Sequence, residues 1–246
     1  MSSETTEPTA STIVLISPVA LDASSWDSSR LPTRPQFRYE YPGHGARSAR
    51  HDDWDLDWIA DDIAATIDGP IDAIGISMGS MVAQHLLVRH PGRVRSAVLA
   101  AAGAATNPDV MRERAERILR VGAGGVVTET LERWFTAGAR EPTEADFVSK
   151  TRATLAAADA PSVSQAWIAM SRHDARDELA GIDAPVTCIA GRDDLATPPA
   201  AVTALSEAIP GARLEVLAGP HMLQLETPDK FSAAVRRHFE RLEGQQ

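Results

Sequence analysis

Strand-length apolar segments alternate with helix-length amphipathic segments along most of this chain of 246 residues. The strand-length segments are 12–17, 36–41, 71–76, 95–101, 184–190 and 213–217. Those at 97–101 and 186–190 are apolar almost without interruption, which is typical of strands buried on both faces of a parallel sheet. The alternation therefore predicts an α/β fold in which a mostly parallel sheet is flanked by helices.

The alternation stops between residues 107 and 180, where helical segments follow one another without a strand signal. These segments are 108–121, 125–136, 144–158 and 163–173, with Asn107, Thr143 and Ser162 as expected helix starts. We interpret 107–180 as a helical lid inserted into a core that is formed by 12–106 and 181–246. Residues 1–11 are polar and show no apolar periodicity, which predicts a flexible tail.

Charge and composition exclude several classes of function. Asp and Glu outnumber Lys and Arg by 34 to 24, and the net charge of −10 repels phosphate backbones, so no nucleic-acid partner is expected. The first apolar stretch, 12–16, is far shorter than the roughly 20 residues of a membrane helix, and no signal-peptide pattern precedes it. The single cysteine, Cys188, is expected to be a small buried side chain. These features predict a soluble, cytoplasmic protein without a membrane partner.

The most informative motif is a G-x-S-x-G pattern at residues 75–79, directly after the strand segment 71–76 and directly before the helical segment 80–89. A sharp turn from strand to helix needs small residues on either side of its central residue, and it lifts that side chain clear of the sheet. We therefore predict that Ser77 is a catalytic nucleophile. The alternative is a glycine-bounded turn whose serine has no function.

A serine hydroxyl is a poor nucleophile until a base takes its proton, and that base needs a carboxylate to orient it. Asp194 and His221 each follow a strand-length segment, so both are expected at the carboxyl edge of the sheet, where parallel sheets bind ligands. Their order after Ser77 is that of a Ser-Asp-His triad. Asp193 remains the alternative to Asp194, which is favoured by its spacing from the preceding glycine.

The other histidines are expected to have structural roles. His44 lies in a Pro-Gly-His-Gly turn at 42–45, after the strand segment 36–41, and its expected role is to brace that turn near the site. Surface or capping roles are expected for the histidines on or beside predicted helices: His51, His85, His90, His173 and His238.

Two backbone N–H groups must stabilise the oxyanion that forms when the hydroxyl attacks a carbonyl. Met78 follows the nucleophile at the start of a helix, whose dipole also favours negative charge. The second donor is expected from the loop after the first strand. Pro18 has no N–H, so Val19 is the candidate and Ala20 is the alternative.

Together, these motifs resemble the α/β-hydrolase superfamily across essentially the whole chain. The segments 75–82, 131–136 and 190–199 look more narrowly like 3-oxoadipate enol-lactonases of aromatic-acid degradation. This resemblance implies a lid after the sixth strand of the usual fold, while the paired strands that usually precede the oxyanion loop are expected to be missing here. It also implies attack of Ser77 on a lactone carbonyl and release of the acyl-enzyme by water that His221 activates.

A carboxylate on such a lactone needs a cation near the pocket. Arg133, beside Trp134 in the predicted lid, is the first candidate and Arg172 the second, the alternative for either being a solvated helix arginine. Trp134 fits either the lid core or the pocket wall.

No metal-ligand cluster, phosphate loop or dinucleotide motif occurs in the sequence, so neither a cofactor nor a metal is expected. The expected partner is a small-molecule ester or lactone. The same triad would also suit a general esterase, a cofactor-free haloperoxidase or a carbon–carbon hydrolase. A non-catalytic binding module would be expected to lack one triad residue, and all three are present.

Overall fold

The computed structural model describes residues 11–50, 52–141 and 143–244. Its sheet consists of β1 (Thr12–Ile16), β2 (Gln36–Tyr39), β3 (Ile71–Ile76), β4 (Val94–Ala100), β5 (Val186–Gly191) and β6 (Arg213–Leu217). Within the described residues the strand order is β2-β1-β3-β4-β5-β6, and every neighbouring pair is parallel. The parallel α/β sheet predicted from the alternation of segments is therefore confirmed.

The helices fall into a core set and a lid set. Those of the core are α1 (Leu56–Thr66), α2 (Met78–Arg89), α8 (Pro199–Ala208), α9 (Leu223–Glu226) and α10 (Pro228–Glu243). Those between β4 and β5 are α3 (Pro108–Val121), α4 (Val127–Trp134), α5 (Ala137–Arg140), α6 (Asp146–Ala157) and α7 (Ala160–Ser171).

Both faces of the sheet are covered, which explains the nearly continuous apolar strands. Successive residues of a strand point to opposite faces. Val14 and Ile16 pack in the cluster that includes residues of α1 and α2, whereas Ile13 and Leu15 pack in the cluster that includes Phe231 of α10. A strand covered on both sides has no solvent face on which polar residues would be favoured.

Two of the helix starts expected in the lid differ from those observed. Asn107 caps α3 as predicted, because its side chain accepts a hydrogen bond from the N–H of Asp109 at 3.1 Å. The start predicted at Ser162 is wrong, since α7 begins at Ala160 and the Asp159 carboxylate accepts the N–H of Ser162 at 2.9 Å. The cap expected from Thr143 is also absent: α6 begins at Asp146, with no side-chain hydrogen bond at its start.

The two chain segments that enter and leave the region between β4 and β5 lie side by side. Ala105 and Asp174 form an antiparallel bridge, and the N–H of Thr106 donates to the carbonyl of His173 at 3.1 Å. The helices α3 to α7 lie along the chain between these two bridged residues, within the segment predicted to be a lid.

The predicted tail lies almost entirely outside the described residues. Ser11, its last residue, is buried, and its hydroxyl donates to Asp72 at 2.6 Å. Among the residues that the structure describes, no helix has the length and apolar character needed to cross a membrane.

Candidate active site

Ser77 occupies the turn between β3 and α2 in a left-handed conformation, with φ 55° and ψ −120°. This conformation is strained for any residue with a side chain and costs about 1–3 kcal/mol. A Cβ on Gly75 would collide with the backbone of Gly79, and a Cβ on Gly79 would collide with the carbonyl of Ile16. The two glycines of the motif are therefore required by close backbone approach, and the turn places Ser77 at the carboxyl edge of the sheet.

Asp194 and His221 are brought together from the ends of β5 and β6. His221 Nδ1 lies 2.8 Å from Asp194 Oδ2, and both side chains are almost fully buried. The other carboxylate oxygen accepts the N–H groups of Ala196 at 2.8 Å and Thr197 at 2.7 Å. Because backbone donors fix the carboxylate, it can hold the imidazole in one orientation and in one tautomer.

The structure distinguishes between the two neighbouring candidate acids, Asp193 and Asp194. Asp193 is exposed, and its N–H donates to the carbonyl of Gly219 at 3.0 Å, whereas Asp194 contacts His221. The Ser77 hydroxyl makes no hydrogen bond within the part of the chain that the structure describes. In free enzymes, catalytic hydrogen bonds are often long and tighten when substrate binds.

Two of the three predicted oxyanion donors have no hydrogen-bond partner among the described residues. Met78 begins α2, so its N–H precedes the hydrogen-bond ladder of the helix. Val19 is buried after β1, and its N–H forms no hydrogen bond with any described residue. The N–H of Ala20, in contrast, donates to His44 Nε2 at 3.2 Å. This arrangement favours Val19 over Ala20 as the second donor.

A small apolar cavity lies between the oxyanion loop and the lid. Its volume is about 30 Å³, and neither Ser77 nor His221 is among the residues that line it. Its lining comes from the oxyanion loop and from lid residues: Val19, Ala20, Ile118, Val126, Val127, Thr130, Trp134, Leu155, Ala158, Val163 and Trp167. Trp134 also lies beside His221, with 6.2 Å between the ring centroids.

The two candidate arginines differ in their surroundings. Arg172, at the end of α7, pairs with Asp53 at 2.8 Å. Arg133 is half-buried, has no ion pair within the described residues, and its Nε is buried without a hydrogen-bond partner. Burial lowers the pKa of Arg133; the carboxylate of Glu129 acts in the opposite direction, and the nearby Arg117 adds to the lowering. Arg133 does not line the cavity, although its neighbour Trp134 does.

Four of the remaining histidines have structural contacts. His85 lies 2.6 Å from Asp57 and 3.0 Å from His173, which links α2 to the returning end of the lid. Burial lowers the pKa of His173 to about 4, and the proximity of His85 contributes. His90 lies 2.8 Å from Asp61.

The last structural histidine, His238, lies far from the site. It packs at the amino end of β5, 2.9 Å from Thr187 Oγ1. His51 lies outside the described residues.

Cys188 is fully buried in β5, as predicted, and burial raises the pKa of its thiol to about 12. Such a thiol does not ionise near neutral pH and is a poor nucleophile. Among the described residues, no group of three or more His, Cys, Asp and Glu side chains is arranged to hold a metal ion.

Comparison with known families agrees with this geometry. The family model described as "Alpha/beta hydrolase family" matches residues 13–234, which is most of the chain. The chain belongs to the alpha/beta hydrolase family. The superfamily resemblance noted in the sequence is thus confirmed.

Individual alpha/beta hydrolases cover most of this chain as well. The chain is 30% identical to 3-oxoadipate enol-lactonase 2 of Acinetobacter baylyi over 208 residues, which is 82% of this chain and 78% of the relative. It is 32% identical to pimeloyl-[acyl-carrier protein] methyl ester esterase of Neisseria meningitidis serogroup B over 223 residues, 86% and 85% of the two chains. The crystal structure of the enol-lactonase from Burkholderia xenovorans LB400 superposes with a TM-score of 0.89 at 28% identity, covering 94% and 92%.

Sequence reasoning missed several features of this alpha/beta hydrolase. Trp167, Leu155 and Ile118 line the cavity beside the oxyanion loop, and no motif in the sequence singled them out. The bond between Ala20 and His44 was also missed, because it joins two loops on adjacent strands, and strand order is not readable from the sequence.

Proposed function

We propose that this protein is a serine hydrolase that cleaves a carboxylic ester or a lactone through an acyl-enzyme. The observation that carries the proposal is the Asp194–His221 pair at the sheet edge where Ser77 occupies its strained turn. The family membership supports it, since the relatives named above include an esterase and enol-lactonases.

In the acylation step, the Ser77 oxygen attacks the substrate carbonyl carbon while His221 takes the hydroxyl proton. Asp194 keeps the proton on His221 Nδ1, so that Nε2 is the base, and it stabilises the imidazolium that forms. The carbonyl oxygen becomes an oxyanion that accepts the N–H groups of Val19 and Met78. When the tetrahedral intermediate collapses, the bond to the leaving oxygen breaks and the imidazolium returns its proton to that oxygen.

In the deacylation step, His221 takes a proton from water, and the resulting hydroxide adds to the acyl carbon. The second tetrahedral intermediate uses the same two N–H groups. Its collapse breaks the bond to Ser77, which recovers a proton from His221 and leaves the free acid. In a lactone the leaving oxygen stays attached to the acyl chain, and an enol oxygen leaves readily because its product tautomerises to a ketone.

For the substrate, we favour 3-oxoadipate enol-lactone, a small molecule with a free carboxylate. The similarity to the Acinetobacter and Burkholderia enol-lactonases supports this choice. Arg133 is the proposed partner of the carboxylate, because its guanidinium is half-buried without an ion pair among the described residues. Trp134 is the proposed wall of the pocket beside His221.

A neutral ester with a longer acyl chain is the second candidate. The lining of the cavity favours it, because none of those side chains is charged and Thr130 already donates to Val126. The similarity to the Neisseria esterase is consistent with such a substrate.

The deciding experiment compares kcat/KM for the enol-lactone, the methyl ester of a medium-chain monocarboxylic acid, which tests the second candidate, and p-nitrophenyl butyrate. With the favoured substrate, Arg133→Met lowers kcat/KM for the lactone about 10- to 100-fold, the value of one charged hydrogen bond, and leaves the neutral aryl ester unchanged. Arg172→Met is the matched control, because that arginine already pairs with Asp53. Similar rates on the lactone and the aryl ester would instead identify a general esterase.

A further inference from the structure

The oxyanion loop contains a backbone conformation that its own sequence does not favour. Ala20 has φ 62°, in the left-handed region that a residue with a Cβ rarely adopts. No glycine relieves this strain, since the loop reads Ser-Pro-Val-Ala-Leu at 17–21. Contacts from outside the loop must therefore hold it in place.

Trp26 and Ser25 hydrogen-bond the Ser17 hydroxyl at the start of the loop, and three further contacts come from the turn that follows β2. The Tyr41 hydroxyl donates to the carbonyl of Ser17 at 2.7 Å, at the start of the loop. Beyond the far end of the loop, the N–H of Ala23 donates to Glu40 at 3.4 Å. Between these two bonds, at the strained residue itself, the N–H of Ala20 donates to His44.

The hydrogen bonds of His44 define its protonation state. Nδ1 lies 3.1 Å from the carbonyl of Pro42, which can only accept, so Nδ1 carries the proton. Nε2 faces the N–H of Ala20 and must present its lone pair. The ring is therefore neutral and is in the tautomer that can accept from the loop.

The surroundings of His44 keep it neutral near pH 7. Burial lowers its pKa, while the hydrogen bond to Pro42 and the carboxylates of Asp159, Glu40 and Asp22 act in the opposite direction. The ring is only 4% exposed and packs edge-on against Tyr41, with 5.4 Å between centroids.

We propose that His44 is a positioning residue of the oxyanion hole: by accepting the N–H of Ala20, it fixes the loop so that the N–H of Val19 remains free for the substrate oxyanion. This inference rests on the proposed acyl transfer at Ser77. A buried N–H without a partner is costly, and it is expected where a ligand oxygen will supply the acceptor. Val19 provides such a group beside the cavity that Trp134 lines.

The test compares two substitutions of similar length, His44→Gln and His44→Met. Glutamine can present an acceptor to Ala20 and a donor to Pro42, whereas the methionine sulfur accepts only weakly. We expect His44→Met to lower kcat for p-nitrophenyl butyrate about 10- to 100-fold, with KM changed less than about threefold, because the oxyanion exists only in the transition state. His44→Gln should recover most of that loss.

A second readout is affinity for phenylboronic acid, whose tetrahedral serine adduct places an oxygen in the oxyanion hole. It should weaken in parallel with kcat in His44→Met and recover in His44→Gln. The matched controls are His238→Gln and His238→Met, which alter a buried histidine at the opposite edge of the sheet and should leave both readouts unchanged.

Equal kcat values and boronate affinities for folded His44→Gln and His44→Met would overturn the inference, because they differ mainly in the acceptor. Loss of both readouts in both folded variants would also overturn it. A wild-type protein that hydrolyses no ester or lactone would remove the proposed function itself, and with it the oxyanion hole that His44 positions.

Discussion

Asp72 and Asp194 are both buried carboxylates, but Asp72 lies at the amino ends of the strands (the amino edge of the sheet) and Asp194 at their carboxyl ends (the carboxyl edge). Asp72, near the start of β3, accepts two serine hydroxyls at 2.5 and 2.6 Å and pairs with Arg95, whose Nε lies 3.0 Å away. Asp194, after β5, accepts two backbone N–H groups and contacts His221. A guanidinium keeps its proton at any ordinary pH, whereas an imidazole exchanges one near neutrality. Burial alone therefore does not make an acid catalytic, since the partner must also be able to exchange a proton.

Backbone strain shows the same division between the two edges. Among the described residues, positive φ values outside glycine occur at Ala20, Ser77 and Ala101. These residues follow β1, β3 and β4, so all three lie at the carboxyl edge. Strained backbone is maintained only where surrounding structure enforces it, and here it coincides with the proposed site.

The largest effect is expected from Ser77→Ala. Removing the proposed nucleophile should lower kcat for an activated ester by about 10⁵-fold or more, because the other residues of the proposed triad act only through it. The melting temperature should not fall, since the hydroxyl makes no hydrogen bond within the described residues. Measured turnover close to that of the wild type would exclude Ser77 as the nucleophile.

Asp194→Asn tests the acid at the carboxyl edge. The asparagine amide can hold His221 in the wrong tautomer. In serine proteases, replacing the aspartate of the triad by asparagine lowers kcat about 10⁴-fold, and we expect a loss of that order here. Asp193→Asn is the control, because that exposed side chain does not contact His221. The pair is measured as kcat on p-nitrophenyl butyrate. If Asp193→Asn proved the more damaging change, the assignment of the acid would be reversed.

The sequence predicted the elements of this fold better than their ends. Strands such as β4 were readable because burial on both faces demands apolar residues throughout. The start of α7 was not, because Ser162 and Asp159 both precede helical residues and only the backbone decides which side chain accepts an N–H.

For the site, the motif around Ser77 was readable because backbone crowding dictates its glycines. The sequence favoured Asp194 over Asp193 and Val19 over Ala20, but it left both alternatives open. Each pair consists of adjacent residues at the end of one strand, and they differ only in contacts with a distant segment.

Asp72→Asn tests the acid at the amino edge. Neutralising this carboxylate leaves Arg95 and Arg34 without their charged partner, and because Arg95 is 31% exposed we expect a cost of about 2–3 kcal/mol, below that of a fully buried pair. We expect that loss in the free energy of unfolding measured with urea, while kcat per folded molecule stays unchanged. The control is Asp229→Asn, whose side chain is 82% exposed in its pair with Arg30 and should lose at most about 1 kcal/mol. A large drop in kcat for folded Asp72→Asn would contradict the comparison, because it would show that the carboxylate at the amino edge also affects catalysis.

The smallest effect is expected in the pH dependence of the free energy of unfolding, and it arises from His238 at the amino edge of the sheet. Burial, with a contribution from Arg241, lowers the pKa of His238 from 6.5 to about 4. His238 therefore takes up a proton below about pH 6.5 in the unfolded chain but only below about pH 4 in the folded chain. Because the unfolded chain binds more protons between these two pH values, the free energy of unfolding falls as the pH decreases through this interval. The His238 contribution to this loss is at most about 3 kcal/mol.

In urea titrations at pH 7 and pH 4.5, His238→Met should lose less stability than the wild type, and an identical loss in both proteins would contradict the assignment. Because His238 lies away from Ser77, kcat per folded molecule should follow the same pH profile in both.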